Sequence, residues 1–136
     1  MNHAHSWKRY LPRASVALCC ACVLGVLQAA PAHAASRTVN FNYSHLWLSP
    51  EFKTGGGAVH FTIKNCNYPE RDMTVLLRAT HGINTDIGTE TIKCRKGAKT
   101  AIGKGLKPGT FELELGKLDD GKYFKGAGTI SFTAPK

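Results

Sequence analysis

The sequence lacks an apolar run long enough to cross a membrane, and it lacks the short motifs that mark many catalytic and metal sites. Its longest apolar region, residues 14–27, has 14 residues, whereas a membrane helix needs roughly 20. No G-x-S-x-G turn presents a nucleophile, and neither Cys66 nor Cys94 belongs to a C-x-x-C pair that could begin a zinc site. These absences argue against a membrane-spanning protein, a nucleophile-elbow hydrolase and a cysteine-ligated metal protein. We therefore predict a non-enzymatic protein with no cofactor and no metal.

The first 34 residues have the three parts of an export signal. Three basic residues between positions 8 and 13 precede the apolar region, and Ala32-His33-Ala34 forms a small-x-small cleavage site. We predict that residues 1–34 are a signal peptide that is removed, and that residues 35–136 form one secreted, extracellular domain of 102 residues. The end of this leader, Pro-Ala-His-Ala-Ala, resembles the export signals common in actinobacteria such as Streptomyces.

Three of the five cysteines lie in the predicted leader, which leaves Cys66 and Cys94. An even pair in an oxidising compartment has only one possible connectivity. A metal site would need further ligands at short spacing, and the sequence has none. We predict that Cys66 and Cys94 form a disulfide bond.

Beyond the leader, apolar residues alternate with polar ones, and no stretch keeps a helical period over three turns. Seven strands are predicted, at residues 39–43, 59–63, 73–77, 89–94, 99–103, 111–115 and 127–132. Turn residues such as Lys107-Pro108-Gly109 separate these runs. The pattern predicts a single all-β domain, an immunoglobulin-like antiparallel β-sandwich of about seven strands.

Residues 105–113, Gly-Leu-Lys-Pro-Gly-Thr-Phe-Glu-Leu, resemble the "L-x-x-G-T-Y-x-L" segment that leads from a turn into a strand in many secreted immunoglobulin-like sandwiches. Phe111 takes the aromatic position. No tryptophan lies between Cys66 and Cys94, so the resemblance is to the architecture and not to antibody domains.

Two residue groups could carry chemistry. Glu112 and Glu114 share one face of a strand at roughly 7 Å, within the range of paired glycosidase carboxylates, although they also fit the solvent-facing half of an alternating strand. His45, His60 and His81 could ligate copper or zinc, but their spacing has no metal-site signature. We favour the structural interpretation for both groups.

The sequence is basic. Without the three basic residues of the leader, 15 Lys and Arg face nine acids, so the net charge is +6 instead of +9. Six basic residues fall within 15 positions and could form one anion-binding surface: Lys93, Arg95, Lys96, Lys99, Lys104 and Lys107. Teichoic acid, phospholipid headgroups or an acidic protein would fit it. Nucleic acid is not expected, since the segment has no aromatic residue to stack a base.

The connector at residues 46–52, Leu-Trp-Leu-Ser-Pro-Glu-Phe, is unusually apolar and leads into three glycines. It could close the open end of the sandwich, or Leu46, Trp47, Leu48 and Phe52 could anchor a partner protein. If Trp47 is an anchor, Trp47→Ala should abolish partner capture and leave thermal unfolding nearly unchanged. Equal loss of folding would make Trp47 a core residue.

These features predict a secreted protein-binding module, acting as an adaptor or accessory subunit of an extracellular assembly. In its size, its leader and its expected sandwich fold, the chain resembles the small secreted adaptors of the Streptomyces umbrella toxin particles. One alternative is a basic protein that binds the cell envelope or a polysaccharide, with retention that falls steeply with salt. A second alternative is a small secreted inhibitor or hydrolase.

Overall fold

The computed structural model describes residues 33–136, which form two antiparallel β-sheets packed as a sandwich. The nine strands are β1 (Ala34–Tyr43), β2 (Leu46–Leu48), β3 (Phe52–Thr54), β4 (Gly57–Cys66), β5 (Asp72–Ala79), β6 (Thr85–Lys93), β7 (Lys99–Leu106), β8 (Gly109–Gly116) and β9 (Phe124–Thr133). This architecture confirms the predicted single all-β sandwich. Of the predicted signal peptide, residues 1–32 lie outside the described residues.

Sheet A has the strand order β1-β9-β4-β7, and sheet B has the order β2-β8-β5-β6 with β3 also paired to β8. Strands β1 and β9 pair along their whole length, from Ala34 opposite Thr133 to Tyr43 opposite Phe124. Successive side chains of a strand point to opposite faces of its sheet, so alternate residues face the space between the two sheets, as the period of two in the sequence predicts.

The core lies between the sheets and consists of the inward-facing positions of the alternating strands. Seventeen residues form it: Val39, Phe41, Tyr43, Phe52, Val59, Phe61, Ile63, Met73, Val75, Leu77, Cys94, Ile102, Phe111, Leu113, Leu115, Phe124 and Ile130. The hydroxyl of Tyr43 is buried there without a hydrogen-bond partner, and this burial raises the pKa of Tyr43 above its ordinary value.

Strand β9 carries two inward-facing glycines that make room for aromatic rings. A Cβ atom on Gly128 would lie 2.5 Å from two ring carbons of Phe61, and one on Gly126 would lie 2.8 Å from Cζ of Phe41. Phe61 and Phe41 therefore fill the space that side chains would occupy in the middle of sheet A. Glycine is required at Gly126 and Gly128 by this close approach.

The disulfide joins the two sheets at one end of the sandwich. Cys66 is the last residue of β4 in sheet A, and Cys94 follows β6 in sheet B, with their Cα atoms 5.5 Å apart. This separation is ordinary for a disulfide. The structure thus confirms the predicted pairing, and the end of the sandwich that holds this bond is called the disulfide end below.

Seven of the nine strands match the predicted ones, and the two additional strands, β2 and β3, lie in the segment predicted as a connector. Each has three residues and pairs with β8, Leu46 opposite Gly116 and Phe52 opposite Phe111. Three residues are too few for alternation to identify a strand. The connector is therefore a split edge of sheet B.

Candidate functional site

The four predicted partner-binding residues have different environments. Phe52 is only 2% exposed and belongs to the core, where its ring lies 4.8 Å from that of Phe132. Trp47 points inward opposite Leu115, and its ring meets the edge of Phe41 at 6.4 Å. The inward position of Phe52 prevents it from anchoring a partner, and Trp47 is mainly a packing residue.

Leu46 and Leu48 flank Trp47 on β2 and therefore point away from the core. They are 44% and 45% exposed, and Leu118, in the loop between β8 and β9, is 86% exposed. Leu46 and Leu118 line one concavity of about 400 Å³ on the outer side of sheet B. We call Leu46, Leu48 and Leu118 the leucine surface.

A buried lysine fixes the loop that carries Leu118. The Lys117 side chain is only 2% exposed, and its Nζ donates to Oδ1 of Asp120 and to the carbonyl oxygen of Leu118, both at 2.7 Å. It also lies 5.4 Å from the centre of the Phe124 ring. The exposed leucine is thus presented by an ordered loop, which lowers the entropy cost of binding through it.

Asp120 accepts hydrogen bonds from three groups. Besides Lys117, the backbone N–H of Lys122 donates at 3.1 Å, and Arg71 forms an ion pair with the other carboxylate oxygen. The Lys117 hydrogen bond, supported by Lys122 and Arg71, holds the pKa of Asp120 well below its usual range. The loop network is therefore intact at every pH at which Asp120 stays ionised.

Glu112 and Glu114 lie on the outer face of sheet B beside Arg78. The guanidinium of Arg78 is 3.0 Å from Glu114, 3.8 Å from Glu112 and 2.9 Å from Asp86. The hydrogen bond to Asp86, together with the two glutamates, raises the pKa of Arg78. Three carboxylates around one guanidinium give this cluster a net charge of −2, in contrast to the basic chain as a whole.

The three histidines lie in different places. His45 follows β1 and borders the leucine concavity, His60 is exposed on β4, and His81 is in the turn after β5. Within residues 33–136, no group of three or more His, Cys, Asp or Glu side chains is arranged to hold a metal ion. In the same range, no helix is long and apolar enough to span a membrane.

All six basic residues of the predicted anion-binding surface are exposed, but they form two groups. The basic end, around the turn between β6 and β7, consists of Lys93, Arg95, Lys96 and Lys99. Lys93 is 2.9 Å from a carboxylate oxygen of Asp72, so part of its charge is matched. A strand rise of about 3.3 Å per residue places Lys104 roughly 16 Å from Lys99, and Lys107 farther still.

A groove that the sequence did not indicate lies at the disulfide end of sheet A, along β1, β9 and β4, and Trp47 of β2 also lines it. It has a volume of about 740 Å³, and its polar side chains are Asn40, Asn42, Asn65, Asn67 and Lys125. We call it the asparagine groove. Its residues come from strands far apart in the sequence, so only the strand register brings them together.

The fold and these surfaces define a disulfide-bonded β-sandwich with an apolar surface on one sheet and a polar groove on the other. Comparison of the chain with protein-family models, curated proteins and solved structures gave no match. Its function is therefore inferred from its own surfaces.

Proposed function

We propose that the chain is a secreted, non-enzymatic binding module that joins an extracellular assembly through its leucine surface. The observation that carries this proposal is the exposure of Leu46, Leu48 and Leu118 on one side of sheet B. Large apolar side chains grouped on the surface of a soluble domain mark protein contacts, especially around a concavity. The resemblance to umbrella toxin adaptors supports an adaptor role.

The surroundings of the leucine surface support a particular kind of partner. Its neighbours on sheet B are the acidic cluster around Arg78, and Leu48 lies directly opposite Glu114. A complementary protein surface would have apolar side chains at its centre and basic residues at its rim. Burial of the leucines would supply most of the affinity, so the complex should resist high salt.

The test is capture of a partner by the tagged residues 35–136 from the culture supernatant of the organism that encodes the chain. Mass spectrometry identifies the companion, and the capture is repeated in 1 M salt. The test variant is Leu46→Asp/Leu118→Asp. The matched control is Ile83→Asp, because Ile83 is 90% exposed in the turn between β5 and β6, at the opposite end of sheet B.

We expect a stoichiometric, salt-resistant companion that is lost with Leu46→Asp/Leu118→Asp and kept with Ile83→Asp. Thermal unfolding should be nearly unchanged for Ile83→Asp and somewhat lower for Leu46→Asp/Leu118→Asp, because Leu46 is only 44% exposed, and both variants should still fold. A companion that both variants retain would refute the leucine surface as the contact.

A second candidate function is binding of an anionic envelope polymer, and the exposed basic end favours it. Retention on washed cell walls should then fall steeply with salt. Arg95→Gln/Lys96→Gln should weaken this retention more than Lys104→Gln/Lys107→Gln, because only the first pair lies at the basic end. Equal effects, or retention that ignores salt, would count against this candidate. Inhibition of a secreted enzyme has no comparable surface to support it.

A further inference from the structure

The asparagine groove is a candidate binding site on the sheet opposite the leucine surface. Asn40 on β1 and Asn65 on β4 both lie opposite Ala127 of β9, which forms the floor between them. Neighbouring strands lie about 4.8 Å apart, and β9 separates β1 from β4, so the Cα atoms of Asn40 and Asn65 are roughly 10 Å apart. Asn42 is two residues from Asn40 on the same face and lies opposite Lys125. The width of the groove suits one sugar ring.

A β-bulge helps to form the groove. The pairing of β4 with β9 shifts between Ile63 and Asn65, so Lys64 is an extra residue on β4. A bulge of this kind re-aims the side chains next to it. Both Lys64 and Asn65 are exposed, and Asn65 lines the groove.

The rim of the groove is fixed by a fourth asparagine. Asn67 accepts a hydrogen bond from the backbone N–H of Lys125 at 2.9 Å, and its Nδ2 donates to the carbonyl oxygen of Tyr123 at 3.0 Å. Asn67 thus holds the start of β9 against the segment after β4. The disulfide at Cys66 holds the same segment from the other side.

The other three asparagines have no such structural role. The side chains of Asn40, Asn42 and Asn65 make no hydrogen bond to any other residue within 33–136. Asparagine is also disfavoured in strands, and nearby outward positions of the same sheet hold threonine, as at Thr38 and Thr129. We take these three amides, two on β1 and one on β4 across β9, as the groups that would meet a ligand, because each offers two donors and an acceptor.

The charge of the groove identifies the class of ligand. Its lining has no carboxylate, one ammonium group from Lys125 and a partly buried aromatic ring from Trp47. Amide groups match the donor and acceptor pattern of sugar hydroxyls, and the ammonium group matches a carboxylate or phosphate. We propose that the asparagine groove binds an anionic carbohydrate. The asparagines hold the hydroxyls, and Lys125 holds the negative charge.

This inference does not depend on the leucine surface: the asparagines and Lys125 belong to the sheet A side of the sandwich, and Trp47, which β2 adds to the groove, points to the opposite side of β2 from Leu46 and Leu48. The test is affinity electrophoresis of residues 35–136 in native gels with purified wall teichoic acid, polygalacturonate or neutral dextran. The first two polymers separate phosphate from carboxylate as the anion. The test variants are Asn40→Thr/Asn42→Thr and Lys125→Gln. Their matched controls are Asn84→Thr, in an exposed turn, and Lys104→Gln, an equal charge change far from the groove.

We expect one of the anionic polymers to retard the protein, and dextran to retard it much less. Loss of two amide contacts should weaken this binding about tenfold. Lys125→Gln should weaken it too, whereas Asn84→Thr and Lys104→Gln should leave it unchanged. Threonine favours strands, so the double variant should fold, and its circular dichroism spectrum checks this.

Four outcomes would overturn the proposal. They are no retardation by either anionic polymer, equal retardation by dextran, an equal loss with Lys104→Gln and Lys125→Gln, or no effect of Asn40→Thr/Asn42→Thr. The double variant Arg95→Gln/Lys96→Gln tests whether the polymer binds at the basic end instead of in the asparagine groove. Its loss of binding, with the asparagine variants unchanged, would assign the polymer to the basic end.

Discussion

Replacement of both cysteines, Cys66→Ala/Cys94→Ala, removes the covalent link between the two sheets. The cysteines are 28 residues apart in the sequence. In the chain-entropy model, a bond that closes a loop of this size lowers the conformational entropy of the unfolded chain. Removing the bond should therefore reduce the free energy of unfolding by about 3.6 kcal/mol at 25 °C. Domains of this size have a free energy of unfolding of about 5–15 kcal/mol, so the variant should still fold but be much less stable.

The assay is urea unfolding of residues 35–136, followed by circular dichroism. We expect the free energy of unfolding in water to fall by about 3–4 kcal/mol, and the thermal midpoint to fall by roughly 15–25 °C. The wild-type protein in the presence of a reductant should give a similar curve, which controls for the lost sulfur atoms. A loss below about 1 kcal/mol would refute the entropic argument and show that the packing holds the sheets together without the bond.

Three further substitutions test the core and the loop. Gly128→Ala should cost about 1–3 kcal/mol because its Cβ would meet the Phe61 ring, whereas Gly88→Ala, whose Cβ would have ordinary contacts, should cost far less in urea unfolding. An equal cost at both sites would contradict the close approach. Because the pKa of Asp120 is lowered in the folded state, the unfolded state takes up a proton on this carboxylate at a higher pH than the folded state does. The free energy of unfolding should therefore fall as the pH drops below about 4. Asp120→Asn should reduce this fall in urea midpoints between pH 7 and 3, and identical slopes would disprove the role of the carboxylate. Trp47→Ala should lower the free energy of unfolding by about 2–3 kcal/mol. An unchanged thermal midpoint would show that Trp47 does not contribute to the packing of the core.

Much of the fold follows from alternation that is visible in the sequence. Val39, Phe41 and Tyr43 are predicted to face one side of a strand, and all three are buried. The disulfide follows from the parity of the cysteines after the leader is set aside. Strands of eight to ten residues give enough alternation to be recognised, and strands of three residues, such as Leu46–Leu48, do not.

The surfaces could be predicted only in part, because they depend on which strands are neighbours. The asparagine groove needs β1, β9 and β4 side by side and a bulge at Lys64, and neither is encoded in a local pattern. Phe52 has the composition of an interface anchor, but its pairing with Phe111 turns it inward. Lys117 is buried against the usual preference of lysine, so no sequence rule would identify it as the residue that orders a loop.

The position of β9 determines when the domain can fold. β9 lies between β1 and β4, so sheet A is incomplete until Phe124–Thr133 have been synthesised. A nascent chain that lacks β9 has no partner for β1 and leaves one edge of β4 open. Sheet A therefore cannot form completely before β9 has been synthesised, and folding is slow because the contacts join distant residues. Before β9 is added, residues 34–123 are a chain without a finished sheet, and an unfolded chain is narrow enough to pass a membrane pore that the folded sandwich would block.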